Sequence, residues 1–197
     1  MVSMTENEAK AINFLIRNFS QKYNINQLSR ELKLSPGGIF KILKKLESQK
    51  YLLSNKAGNN IFYSINYDSD DALDTCKFVL ADEKQSPYIR VQINELKKLK
   101  ELVKIAILFG SVLTKEKEAN DIDVLLVFDE KNFSEVENKI KEINSLTNKK
   151  FHAIYQTPKD FLENIKKKDK VIISGIKTGL VLWGRDLFLE AIKNGQN

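Results

Sequence analysis

Apolar residues recur at helical spacing near the start of the chain. Ile12, Leu15, Ile16 and Phe19 stand at i, i+3, i+4 and i+7, one stripe of an amphipathic helix that opens near Thr5. A short second helix is predicted over 26–32, with Leu28 and Leu32 one turn apart. Ser35 followed by Pro36 is a helix start, a hydroxyl cap with proline at the first helical position. The helix it opens carries Ile39, Ile42, Leu43 and Leu46 on one stripe and ends near Lys50. Two short apolar runs, 51–53 and 61–65, flank a stretch rich in Asn and Gly and read as a hairpin.

The pattern changes from Lys84. Ile89, Ile93, Leu96 and Val103 mark a helix leading into the apolar run 105–109, which reads as a buried strand. A loop over 110–120 precedes a second strand, 121–128. Phe133, Val136, Ile140 and Ile143 outline a further helix, and 151–156 a third strand. Thr157, Pro158 and Asp160 form a helix start with an acid three residues after the cap. The expected fold class is α+β, a helical domain with a hairpin followed by a small mixed-sheet domain.

Charge sharpens the division. The net charge of +6 over 197 residues is uneven. Residues 1–67 carry 10 Lys/Arg against 4 Asp/Glu, residues 68–83 carry 1 against 6, and residues 84–197 carry 21 against 16. The expected organisation is a domain over 1–67, an acidic linker over 68–83 and a domain over 84–197. The basic first block suits a polyanionic partner. One cysteine, Cys76, excludes an internal disulfide and a cysteine-built zinc site. No apolar run approaches the roughly 20 residues needed to span a bilayer, and the first ten residues lack the signal-peptide pattern. The expected location is cytoplasmic.

Candidate chemistry lies at two places. Asp121 and Asp123 alternate with Ile122, so on a strand both carboxylates share a face while Ile122 enters the core. Adjacent carboxylates repel, and a divalent cation, magnesium or manganese, resolves that conflict together with substrate phosphates. Gly110 lets backbone approach a phosphate closely, and the amides and hydroxyl near Ser111 can donate to it. The second place is the helix from Ser35. Lys41, Lys44 and Lys45 lie away from its apolar stripe, Gly37 and Gly38 stand at its start, and Lys56 belongs to the hairpin. This arrangement suits phosphate contacts with duplex DNA, and the lack of arginine on the helix argues against guanine readout.

Phe109-Gly110-Ser111, nine residues, then Asp121-Ile122-Asp123 followed by Val-Leu-Leu-Val resembles the signature of the DNA polymerase beta-type nucleotidyltransferases. It is most similar to their minimal branch, which includes small archaeal and bacterial proteins and kanamycin nucleotidyltransferase. Gly179 to Asp186 resembles the closing segment of that branch. Three helices and a hairpin over about 5–67 resemble a winged helix-turn-helix. These resemblances imply a transferase that moves a nucleoside monophosphate from a nucleoside triphosphate to an unidentified acceptor. Asp121 and Asp123 would be its catalytic metal ligands, and Gly110 and Ser111 its nucleotide contacts. They also imply duplex DNA as a partner, and a HEPN-type protein as a conceivable one. The resemblance also implies a third carboxylate on the next strand, usual in active members, where this chain has His152. The alternative is a DNA-binding transcriptional regulator or antitoxin-like protein whose transferase domain is catalytically degenerate.

Overall fold

In the computed structural model, which describes residues 4–82 and 85–196, the first helix begins where its sequence dictates. The Thr5 hydroxyl accepts from the Glu8 amide and the Glu8 carboxylate accepts from the Thr5 amide, a capping box that opens α1 (Glu6–Arg17). A two-residue strand, β1 (Tyr23–Asn24), leads into α2 (Ile25–Leu32), where Asn24 and Gln27 repeat the reciprocal cap. Ser35 caps α3 (Pro36–Ser48) by accepting from the Gly38 amide at 3.1 Å. The strands β2 (Leu52–Ala57) and β3 (Asn60–Ile65) form the hairpin, turning at Gly58 with φ +58°.

Ile12, Leu15, Ile16, Leu28, Ile39, Leu43 and Leu46 are buried together. Each such side chain contributes about 1.5–3 kcal/mol by leaving water. β1 pairs antiparallel with β3, giving the strand order β1-β3-β2. Helix, strand, helix, helix and a two-stranded wing make this unit a winged helix.

The stretch expected as an acidic linker holds a helix instead. α4 (Asp70–Ala81) buries Ala72, Thr75, Cys76, Val79 and Leu80 and packs against α1. Ser69 caps it, and Asp70 and Asp71 sit in its first turn, where the helix dipole favours negative charge. The first unit accordingly runs through Asp82. The expected boundary at 83 and 84 lies outside the described residues.

Glu8 also ties α1 to α3, because Lys45 Nζ lies 2.7 Å from its carboxylate. Burial pushes this carboxyl up, but the Lys45 ammonium and the Thr5 amide outweigh it and hold the group below its ordinary value. The stability this adds is present above the ordinary glutamate pKa and is lost as pH falls through the depressed one. Glu8→Gln should lower the neutral-pH stability of the first unit by about 1–2 kcal/mol. It should also flatten the acid limb of a melting-temperature titration followed by circular dichroism. An unchanged acid limb would show that Glu8 is not the group being titrated.

The second unit ends at Gly195. Ser86 caps α5 (Pro87–Leu96), and one 3-10 turn connects it toward β4 (Ile105–Phe109). A short helix, α6 (Val112–Lys115), and another 3-10 turn separate β4 from β5 (Ile122–Val127). There follow α7 (Phe133–Leu146), β6 (Phe151–Gln156), α8 (Pro158–Lys166), α9 (Lys170–Thr178), β7 (Leu180–Trp183) and α10 (Arg185–Gly195).

The sheet order is β6-β5-β4-β7, with β5 parallel to β6 and antiparallel to β4, and β7 antiparallel to β4. This is the expected mixed sheet. β4 is buried at every position, as its unbroken apolar run requires when helices cover both faces. Ala106, Leu108, Ile122, Val124 and Leu126 pack on one face with Ile93, Val136 and Ile140. Asp123 alternates with that set along β5 and so belongs to the other face.

Candidate active site and nucleic-acid interface

β4 ends at Phe109, whose partner across the antiparallel ladder is Asp123. The chain then turns at Gly110, with φ +82°. A Cβ built there would lie 2.1 Å from Asp123 Oδ2 and 3.0 Å from its Cγ. Glycine is therefore required twice, once for the left-handed backbone and once because the Asp123 carboxylate rests against it. Ser111 follows at once and opens α6, its carbonyl accepting from the Lys115 amide at 2.8 Å.

Asp121 stands just before β5 and Asp123 within it. His152 on β6 is the register partner of Asp123, and its Nδ1 lies 3.6 Å from Asp123 Oδ1. Asp121, Asp123 and His152 each offer a ligand atom, and these atoms lie within 4.8 Å of one another. β6 is an edge strand, which leaves the His152 side chain 75% exposed against 27% for Asp123. Burial, and then the neighbouring Asp121, push the Asp123 carboxyl above its ordinary value, with His152 acting in the opposite direction. A divalent ion would relieve that repulsion, so the donor set fits one.

The loop that delivers Asp121 is held by a residue the sequence did not single out. The Lys149 ammonium donates to the carbonyls of Lys117 and Ala119. No local motif announces this contact, since it joins segments 30 or more positions apart. Arg185, in the closing segment, donates from Nη2 to the Val181 carbonyl at 3.0 Å.

On the first unit, Gly37, Lys41, Lys44 and Lys45 are exposed along α3 and Lys56 is exposed on β2. A Cβ at Gly37 would meet nothing within 4 Å, whereas one at Gly38 would lie 3.0 Å from Ser35 Oγ. The three lysines of α3 are not equivalent. Lys44 pairs with Glu47 at 2.8 Å and Lys45 with Glu8 at 2.7 Å, while Lys41 makes no ion pair among the described residues. Phe40, also unforeseen, is 44% exposed beside Lys41 and Lys44.

Residues 91–177 match the family described as Polymerase beta, Nucleotidyltransferase. No curated protein matches the chain. Among solved structures, MepR, a transcription regulator of the Staphylococcus aureus multidrug efflux pump MepA, is 10% identical. That alignment covers 50% of this chain and 80% of MepR with a TM-score of 0.36. Lactococcus lactis ZitR, a zinc-responsive MarR family member, is 22% identical over 51% of this chain and 76% of its own, with a TM-score of 0.32. The wild-type ZitR complex with DNA gives 22%, 51%, 75% and 0.32 in the same order. The winged helix of the first unit rests on its own element order. Among the described residues no helix is long and apolar enough to cross a membrane. Neither the fold nor these likenesses speaks for a HEPN-type partner.

Proposed function

We propose that this nucleotidyltransferase domain of the polymerase beta type, residues 91–177, transfers a nucleoside monophosphate from a nucleoside triphosphate to an unidentified acceptor. The observation that carries this reading is that Asp121 and Asp123 bring ligand atoms close enough to share one ion, and that Asp123 rests against Gly110. Asp121 and Asp123 hold the divalent metal, magnesium or manganese. Gly110 leaves the backbone open to a phosphate, and the Ser111 amide and hydroxyl donate to its oxygens. The bound ion supplies neutralisation of the charge on the α-phosphate. The acceptor nucleophile forms its bond to the α-phosphorus as the bond to the bridging oxygen breaks. Pyrophosphate leaves with that oxygen, and the acceptor proton passes to water.

A second reading has one observation in its favour, that His152 is the register partner of Asp123 on the strand where the resemblance leads one to expect a third carboxylate. In it the chain is a DNA-binding regulator or antitoxin-like protein whose second unit binds nucleotide without transfer. Pyrophosphate release from nucleoside triphosphate, in the presence of metal and a cell extract as acceptor source, separates the two. Release supports the transferase, and nucleotide binding without release supports the regulator.

The winged helix is proposed to bind duplex DNA through Gly37, Gly38, Lys41, Lys44, Lys45 and Lys56, mainly at phosphates. Each contact releases counterion, so affinity falls with salt at a log–log slope of about −0.9 per phosphate neutralised. Lys41 pairs with no carboxylate among the described residues and contributes a full contact, whereas Lys44 and Lys45 must exchange an internal partner. In fluorescence anisotropy on the full chain, Lys41→Ala should flatten the slope by about one unit. Adding Lys44→Ala and Lys45→Ala should flatten it further, by less per residue. A triple variant with the wild-type slope, or no DNA binding at low salt, removes this assignment.

A further inference from the structure

The third donor beside the two aspartates is an imidazole, and its position is set by the sheet. His152 and Asp123 are direct register partners in the parallel pair β5–β6, and such partners project on the same face. Its Nδ1 lies 3.6 Å from Asp123 Oδ1, and its ligand atom falls with those of Asp121 and Asp123 inside 4.8 Å. Because its side chain is 75% exposed on an edge strand, the ring can turn toward an ion without repacking any neighbour.

Building on the metal–nucleotide reading above, we propose that His152 is a direct ligand and that the Asp121–Asp123–His152 set selects a transition-metal dication over magnesium. Magnesium demands hard oxygen donors and sheds water reluctantly, so a neutral nitrogen donor offers it little. Imidazole suits first-row transition metals, and manganese and cobalt also accept carboxylates. The charge count agrees. Two carboxylates and one neutral imidazole balance a dication, whereas a third carboxylate would add the negative charge that favours magnesium. The side chain that departs from the family pattern thus retunes the site toward a different ion.

The test titrates the full-length chain with cobalt, manganese and magnesium chlorides without nucleotide. Calorimetry reads affinity, and visible absorption and manganese paramagnetic resonance read nitrogen ligation. In the wild type, cobalt should bind at least about tenfold tighter than magnesium and develop visible bands, and bound manganese should show nitrogen coupling. His152→Ala should weaken cobalt by about tenfold or more while changing magnesium by less than about twofold. His152→Asp should tighten magnesium and abolish the nitrogen coupling. Equal losses of both ions in His152→Ala, or cobalt spectra unchanged by it, overturn the proposal while leaving the Asp121/Asp123 site intact. No binding of any ion, with or without nucleoside triphosphate, overturns the proposal and the site together.

Discussion

Gly110→Ala should cost the chain at least about tenfold in metal-dependent nucleotide affinity, about 1.4 kcal/mol or more, while the second unit stays folded. Two penalties act on one methyl group. The left-handed backbone costs a non-glycine residue about 1–2 kcal/mol, and the new Cβ would sit 2.1 Å from Asp123 Oδ2. Either the turn opens or the carboxylate moves, and both misplace the donors. Gly58→Ala is the matched control, because Gly58 also has positive φ but meets nothing within 4 Å. It should lower melting temperature by its backbone strain alone and leave nucleotide binding unchanged. Wild-type nucleotide affinity in Gly110→Ala would mean that the Gly110–Asp123 contact has no part in the site.

The Asp121→Asn/Asp123→Asn variant is expected to lose tenfold or more of its metal-dependent nucleotide affinity by calorimetry, again about 1.4 kcal/mol or beyond. Its thermal stability should move the other way or not at all. Burial and mutual repulsion disfavour the Asp123 charge more than His152 favours it, so neutral amides relieve a cost larger than the contact they weaken. A variant that binds nucleotide and metal as the wild type does would remove the site assignment. One that melts far lower would show that the carboxylates hold structure instead of ligand.

Where residues act through local rules, the sequence was legible. Ser35-Pro36 and Thr157-Pro158 mark the helix starts where they are found, and the apolar run 105–109 is the fully buried strand β4. Asp123 lies against Gly110, across the loop that the motif spacing sets, and His152 faces Asp123 in the register of the next strand. Contacts made at a distance were not legible. Two residues are too few to show alternation, so β1 carries no periodic signal and exists by pairing with β3. α4 was hidden by its charge. Asp70, Asp71 and Asp74 read as a linker, although Ala72, Cys76, Val79 and Leu80 hold a helical stripe that tertiary packing buries. Lys45 resembled its neighbours on the basic helix until Glu8, from another helix, claimed it. Lys149 bracing the approach to Asp121 is invisible for the same reason.

Nucleotidyl transfer by Asp121 and Asp123 is tested by following label from nucleoside triphosphate that carries a labelled α-phosphate. The full chain would be incubated with manganese or magnesium and a cell extract, beside the Asp121→Asn/Asp123→Asn variant. Label should become joined covalently to an acceptor, dependent on the metal and lost in the variant. Label that never leaves the nucleotide, or that transfers equally with the variant, would contradict transfer through these two aspartates.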